Sequence, residues 1–504
     1  MIVHRSIPSL VWFVVTLMFG CAQPEREPPA PRDPLPPPEM PADAEASGDV
    51  VHAVTPFALE GSEETMTCYS WTVDNDAPLY VQAVDFQNGG SFHHSNWFVV
   101  PEDVYPGDDG FWPCAERGFE DVSAALAGTV LFAQSTQAQL ESMKFTDGAV
   151  IRIPARSKIV AGVHLLNLGP DPRETAAWLA MELLHPALVE TILSPVMLSY
   201  LPLSIPPKRV STFLAGCSGP AFEDLGALEL HYILPHYHRT GISAKVTLYE
   251  DSQGTVVLDH VGFGASPMGQ TFDPPIVFEN LGAIEFSCTY DNPHDQTLTW
   301  GVGINEMCVF LGFADASNLL IAGVARDATP LLYEDEDGIQ VSTGACPITL
   351  VPRSIAYNPP TGGEIAGPLV LPNSDGPTPE PPTCEDIEGI FDSTATPTFA
   401  EVQARVLQPW CNFSSCHGEA GAGDLVLDDE GAFAALVGVT ATALDMPRVA
   451  PGDPDGSYLF RLLSECEPEA QGTTARHMPA GAPTLLDPAL VGLVKAWIEM
   501  GAQR

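Results

Sequence analysis

This 504-residue chain has little positive charge. Lys and Arg together number 21 against 65 Asp and Glu, giving a formal net charge of −44 at pH 7. Such a charge balance repels a phosphate backbone and weighs against a nucleic-acid partner. It also lacks the basic face that peripheral membrane binding draws on. A membrane-spanning apolar run is missing near the start, where residues 10–19 are apolar but too few to cross a bilayer as a helix. Two segments lack the material for a core. Residues 24–49 are rich in Pro, Ala and acids and are expected to be a stiff disordered tether. Residues 353–383, with Pro359-Pro360, Gly362-Gly363 and a Pro-rich run from Pro377 to Pro382, are expected to form a linker without regular structure. The remainder has ordinary apolar content, and its length predicts two or more domains.

Residues 1–21 read as an export signal, with His4 and Arg5 as a weak polar start before the apolar run. Leu17-Met18-Phe19-Gly20-Cys21 resembles a bacterial lipobox, with Phe19 out of pattern before the glycine. Lipidation of Cys21 is the expectation, and ordinary cleavage nearby is the alternative. The expected location is the bacterial cell envelope, as an outer-membrane lipoprotein or in the periplasm. The membrane would be touched only through the lipid.

From residue 51 to 352 the chain shows short apolar runs broken by Gly, Pro, Asn and Asp. Tyr80-Val81-Gln82-Ala83-Val84-Asp85-Phe86 and Ala149-Val150-Ile151-Arg152-Ile153 are typical. This pattern predicts a mainly β chain built as β-sandwiches. About 300 residues exceed one small sandwich, so two are expected, 51–204 and 205–352, joined near Ser204-Ile205-Pro206-Pro207. One helical piece, residues 173–184, is expected to interrupt the strands.

Histidines punctuate these runs. His236 and His238 flank Tyr237 before the strand-like run from Gly241. In extended chain, i and i+2 share a face, so the pair offers half of a metal site; a solvated pair is the bland reading. His93 and His94 are adjacent and bind one ion only if their strand bends or bulges. His164 lies in an otherwise apolar strand, where a hydrogen-bonded core histidine is the common case. Met307, in Asn305-Glu306-Met307-Cys308, would ordinarily be core filler.

Taken together, the order His-His, His, His-x-His, Glu-Met-Cys over residues 55–350 resembles the copper type II, ascorbate-dependent monooxygenases, the peptidylglycine α-hydroxylating and dopamine β-hydroxylating family. The resemblance implies two jelly-roll sandwiches whose coppers face each other across a solvent-filled cleft. It assigns His93, His94 and His164 to an electron-transfer copper. His236, His238 and Met307 would ligate an oxygen-activating copper and form the catalytic set. The ligand types suit this, since imidazole serves both copper oxidation states and a thioether favours Cu(I). The resemblance also implies disulfides Cys68–Cys114 and Cys288–Cys308, with Cys217–Cys346 closing the second sandwich. Disulfides agree with export. The peptide-amidating members bind a substrate carboxylate through an arginine, an asparagine and a tyrosine; Leu234, Val309 and Leu311 stand there instead. Peptide amidation is therefore not expected, and an apolar or neutral small-molecule substrate is.

Residues 384–504 differ in kind. Thr398-Phe399-Ala400-Glu401 reads as a capping box opening a helix with Phe399, Val402 and Val406 on one face. Pro409-Trp410 stops it. Cys411-Asn412-Phe413-Ser414-Ser415-Cys416-His417 then places four residues between the cysteines, where the usual haem-attachment motif has two. Half a zinc site and a plain Cys411–Cys416 disulfide are the alternatives. The surrounding segments, Arg448 to Leu459 and His477-Met478-Pro479-Ala480-Gly481, resemble cytochrome c-like domains of bacterial surface proteins. That resemblance implies a small helical domain with covalent haem on Cys411 and Cys416. His417 would be the fifth ligand and Met478 the sixth, with Met446 and His477 as rivals. Asp487 and Pro488 open a closing helix, and Cys384 and Cys466 are left to pair. The combined expectation is an exported monooxygenase using O2 and an external electron donor, either ascorbate or a donor acting through the haem. A copper-binding protein without turnover and a copper/haem electron-transfer protein are the alternatives.

Overall fold

The computed structural model describes residues 39–504 apart from 135–137, 264–267, 302–304, 354–356, 381–382, 388–396, 414–415, 419–420, 429–430, 442–444, 471–472 and 476. The export signal, Cys21 and most of the tether lie outside the described residues. Strand Ser47–Ala53 begins inside the segment expected to be tether.

The chain is mainly β. One sheet orders strands Ser47–Ala53, Ala177–Leu184, Leu79–Asn88, Ala149–Ile153 and Thr191–Ile192. A second orders Gly110–Trp112, Glu64–Thr72, Ser157–Leu166, Phe92–Pro101 and Thr129–Ala133. Their inner faces share one core that includes Val84, Phe86, Trp97, Phe132, Ile159 and Leu179. Residues 173–184 are not helical as expected. They form strands Arg173–Glu174 and Ala177–Leu184. Ala, Leu, Met and Glu favour helix weakly, but Ala177, Leu179, Met181 and Leu183 alternate inward. Strands on both sides of Ala177–Leu184 supply its backbone hydrogen bonds, so tertiary pairing overrides propensity.

The chain changes sandwich at Leu193, about ten residues before the expected join. Thr191–Ile192 still pairs in the first unit, whereas Ser194–Tyr200 already lies between Val309–Ala316 and Asn318–Val324 of the second. The second unit faces a sheet ordered Gln270–Phe278, Leu228–His236, Val309–Ala316, Ser194–Tyr200, Asn318–Val324 and Ile348–Pro352 with another, running Gln253–Val261, Gly241–Glu250, Leu281–Asn292, Arg209–Ser218, Gln340–Ala345 and Leu331–Glu334. Between the units, Tyr232, Leu234, Leu311 and Phe313 join the core of the first sandwich, and Phe313 packs edge-on to Phe145 at 5.3 Å.

Four disulfides form: Cys68–Cys114, Cys217–Cys346, Cys288–Cys308 and Cys384–Cys466. They fit an oxidising, exported environment. Among the described residues no helix is long and apolar enough to cross a membrane.

The linker is more ordered than its composition predicts. Thr361 and Glu364 form a capping box on the short helix Gly362–Ile365. Beyond it the chain straps the first sandwich. Ser374 Oγ accepts from the Val51 amide at 3.0 Å and the Asp375 carboxylate from Ala53 at 2.9 Å, while Gln87 donates to the Pro379 carbonyl at 2.9 Å. Under this strap, His52 stacks on Trp71 at 4.0 Å, meets the Tyr69 hydroxyl at 2.8 Å and lies 3.4 Å from Asp375. Burial lowers its pKa to about 4, against the pull of Asp375. A histidine depressed in the folded state is protonated first in the unfolded chain. Its contribution is therefore complete above about pH 6.5 and is lost as pH falls towards 4, by at most about 3 kcal/mol. Chemical denaturation across this window should show a shallower acid loss in His52→Gln than in the wild type. Equal slopes would mean that His52 does not carry the effect.

The last hundred residues hold short helices. Thr398 and Glu401 form the expected capping box on Phe399–Val402, and the helical path runs on through Gln403–Leu407 to Gln408–Trp410. Asp487 caps Pro488–Glu499 by accepting from the Ala489 amide, and Gly501 follows at φ 92°. Val402, Val406, Leu463, Val494 and Trp497 form the core of this region.

Candidate metal centre

The first three histidines sit where a strand pair goes out of register. His94 lies opposite His164, but Leu165 lies opposite Phe92, so His93 is the extra residue of a bulge. A bulge breaks the strict alternation of faces and allows adjacent imidazoles to serve one site. The rings of His93 and His164 meet edge-to-face at 4.8 Å. Asn88 builds the approach to the bulge. Its Oδ1 accepts from the amides of Gly90, Ser91 and Phe92 at 2.8, 3.1 and 3.1 Å, and its Nδ2 donates to the Phe92 carbonyl at 2.6 Å. His94 Nδ1 donates to the Gln134 carbonyl at 3.1 Å, and His164 Nε2 lies 3.0 Å from the Glu64 carboxylate. An oxygen acceptor on one ring nitrogen leaves a lone pair on the other, the arrangement that outer-shell partners impose on metal-binding histidines. His93 Nδ1 is buried without a hydrogen-bond partner.

The second pair straddles a strand end. Leu228–His236 finishes at His236, and residues 237–240 turn into Gly241–Glu250. Tyr237 is buried in the second core. Its ring lies so close over Gly241 that a Cβ there would fall 2.1 Å from it, which explains the glycine. The His236 and His238 rings are 5.3 Å apart at 82°. Glu306 holds this turn. Its carboxylate accepts from the His238 amide and from the Thr240 amide and hydroxyl, each at 2.7 Å. His238 Nδ1 donates to the Asn305 carbonyl at 2.7 Å. The segment carrying Met307 is thereby tied to the histidine turn, and Tyr290 donates to the Met307 carbonyl at 2.6 Å. Burial raises the Glu306 pKa to about 7 although these donors oppose it. Glu306→Gln would turn one acceptor into a donor facing donors. Copper affinity of the His236/His238 site should fall about 10–100-fold, the usual cost of disturbing an outer-shell partner. Competition with a chromophoric chelator would measure this. Unchanged affinity would reduce Glu306 to a packing role.

The two sets meet across the seam between the sandwiches. His94 stacks on His236 with ring centroids 4.3 Å apart and planes 16° from parallel. The seam is closed at this point, in contrast to the open cleft that the resemblance implies. Burial, followed by neighbouring imidazoles, holds His93 well below the usual range and His94 at about 3. Burial also lowers His238, against the Asn305 carbonyl. These rings are neutral near pH 7, the form that ligates metals. Among the described residues no three His, Cys, Asp or Glu side chains converge on a common point as a ready metal shell. The seam gathers rings rather than a finished ligand sphere. Leu234 and Leu311 lie opposite each other on paired strands, 2% and 8% exposed, within the inter-sandwich core. Their apolar character serves that interface, so it does not by itself argue for an apolar substrate.

Neither Cys411 nor Cys416 is disulfide-bonded; Cys411 is buried, and burial pushes its thiol up to about 12. His417 donates from Nδ1 to the Leu425 carbonyl at 3.1 Å, leaving Nε2 as a lone pair. Burial, aided by the charge of Arg239, lowers its pKa to about 4. Met478 packs on the apolar cluster that contains Cys411. The rival His477 has Nε2 3.0 Å from the Ala482 carbonyl and Nδ1 3.3 Å from that of Cys466. Phe413, Cys416 and Ala482 pack on Leu166 and Leu168, just beyond His164. Gln139 of the first sandwich donates to the Ala482 carbonyl at 2.9 Å. The Cys411–His417 segment therefore abuts the end of the strand that carries His164.

No family model matches the chain, and no curated protein matches it. Among solved structures it is similar to that titled "The Triple Jelly Roll Fold and Turret Assembly in an Archaeal Virus", at 9% identity over 54% of this chain and 56% of that chain, with a TM-score of 0.16. It is also similar to Sulfolobus Turreted Icosahedral Virus, at 9% identity over 51% and 58% with a TM-score of 0.15. A third likeness is to the infectious bursal disease virus VP2 subviral particle, at 8% over 55% and 74% with a TM-score of 0.15. The chain spans little more than half of the first two structures. Likenesses of this size carry no argument about function.

Proposed function

We propose that this protein is a copper-dependent monooxygenase that inserts one oxygen atom of O2 into a C–H bond of a small molecule, with electrons from an external donor such as ascorbate. The observation that carries the reading is the meeting of His93, His94 and His164 from one sandwich with His236 and His238 from the other. The donor set fits copper: burial keeps His93, His94 and His238 neutral near pH 7, His94, His164 and His238 each have one nitrogen held by an oxygen acceptor, and a methionine lies in the adjoining segment. His93, His94 and His164 would hold one ion, and His236, His238 and Met307 the other. Copper bound there would supply one-electron chemistry and O2 activation. The chain's own part is to fix the tautomers through Gln134, Glu64 and Asn305, to bind the substrate and to keep water from the seam. Cys411, Cys416, His417 and Met478 would hold a c-type haem in a small cytochrome c-like domain, and the buried neutral His417 has the donor nitrogen such a group would take.

A copper/haem electron-transfer protein without turnover is the second reading. It is favoured by the stacking of His94 on His236, which leaves no space between those rings. Elemental analysis and haemochrome spectroscopy on protein exported from a haem-attaching host test the metal content. About two coppers and one covalent haem per chain are expected. O2 uptake with reductant then separates the readings: uptake that depends on an added organic substrate supports the monooxygenase, and substrate-independent uptake sinks it. A chain that takes up no copper would sink both.

A further inference from the structure

We infer that the space between the outer face of the first sheet and residues 361–370 of the linker is a binding site for a small neutral amphiphile, an apolar molecule carrying one hydroxyl or amide group. A cavity of about 300 Å³ lies there, at the lower end of the range of small-molecule pockets. Its floor includes Leu79, Leu183 and Leu184, and its roof includes Pro368 and Leu369. The roof is pinned on both sides. His185, fully buried, donates from Nε2 to the Gly367 carbonyl at 3.0 Å, while its Nδ1 accepts from the Ala187 amide at 3.1 Å. Beyond the roof, Ser374 and Asp375 bond to Val51 and Ala53. Before it, the capping box of Thr361 and Glu364 fixes the short helix. These bonds set the height of the linker over the sheet.

One end of the cavity is polar. Tyr80 and Arg152 are opposite each other on paired strands, so their side chains stand side by side on one face. Tyr80 lines the cavity and is 1% exposed. Its hydroxyl is buried with no hydrogen-bond partner among the described residues. Glu364 also lines the cavity, and it faces Arg152 at 3.9 Å, longer than a hydrogen bond. A buried hydroxyl left unsatisfied is costly, and such an exception calls for a ligand or water. Water is the poorer occupant. Filling the space would take about ten molecules at about 30 Å³ each, and the largely apolar lining offers them few partners. An apolar body with a single hydrogen-bonding group matches both ends. That group is neutral, because a carboxylate would meet Glu364 and an ammonium would meet Arg152. The site is separate from the histidine cluster. Tyr80 stands near one end of Leu79–Asn88, and Asn88, which builds the approach to His93, ends it. Eight residues of strand put roughly 26 Å between them at about 3.3 Å per residue. The inference rests on neither copper nor haem.

Isothermal titration of the full-length protein with hexan-1-ol tests this, with hexanoate and hexylammonium as charged controls. Wild type, Tyr80→Phe and Ala77→Phe are compared; the last adds a phenyl group to the lining. The wild type is expected to bind hexan-1-ol saturably at one site, and each charged control at least tenfold more weakly. Tyr80→Phe weakens the alcohol at least tenfold, and Ala77→Phe abolishes binding. Thermal unfolding without ligand adds a second readout. A hydroxyl with no partner contributes nothing to the empty protein, so Tyr80→Phe should unfold at no lower temperature than the wild type. No saturable binding to the wild type would overturn the inference, as would binding that both variants keep. Loss in Ala77→Phe alone would overturn the ligand class, because the hydroxyl would then play no part. A clear drop in the unfolding temperature of Tyr80→Phe would show the hydroxyl already satisfied by water and would also sink the proposal.

Discussion

Replacing His238 by alanine is expected to reduce bound copper from two ions per chain to one and to abolish substrate-dependent O2 uptake. His238 is the most firmly held of the five histidines. Its amide bonds to Glu306 and its Nδ1 to the Asn305 carbonyl, so Nε2 is aimed before any metal arrives. Outer-shell changes alone cost about 10–100-fold in metal affinity, and removal of a ligand should cost more than about 100-fold. Because the turn is pinned through backbone groups and Thr240, the fold should survive, which circular dichroism would check. His94→Ala makes the comparison sharper. Its ring stacks on His236 across the seam. With two separate sites, each single variant keeps one copper and the double variant keeps none. With one ion shared across the stack, either single variant takes the protein from one copper to none, and the two-site assignment falls.

The second large effect concerns haem. The double variant Cys411→Ala/Cys416→Ala should carry no covalent haem, against one per chain in the wild type, while copper stays at two. Neither is disulfide-bonded, whereas Cys384 and Cys466 of the same region are bridged. Cys416 is only a partly buried neighbour of the Leu166, Leu168 and Phe413 cluster, so its change costs little packing, whereas Cys411 is a member of the helical core and its change removes one buried sulfur there, so the fold is checked by circular dichroism. His417→Ala separates attachment from ligation. It should keep the covalent haem but lose the axial nitrogen that the Leu425 carbonyl orients, and a changed visible spectrum would report this. Wild-type protein without covalent haem, made in a competent host, would end the haem assignment and leave the cysteines as unbridged thiols.

The local features were legible before any fold was known. The capping box at Thr398, the N-cap at Asp487, the β alternation and the histidine spacings all depend on neighbours a few residues apart. The misreadings have a common source. Residues 173–184 have a helix-tolerant composition, and only the strands on either side make them a strand. The 353–383 segment cannot form a core of its own, yet the edge groups of Val51 and Ala53 give its backbone and side chains partners. Leu234 and Leu311 looked like substrate-facing positions until their burial in the inter-sandwich core was seen.

The sequence by itself determined which groups are present to ligate, bridge and cap, because these are properties of residue type and short spacing. Only the tertiary structure decided that His93 occupies a bulge opposite His164, that Glu306 grips a turn 68 residues away and that His94 meets His236. The physical reason is that strand register and the docking of one sheet face on another are set by pairings between distant segments, whose cost and reward are summed over the whole core.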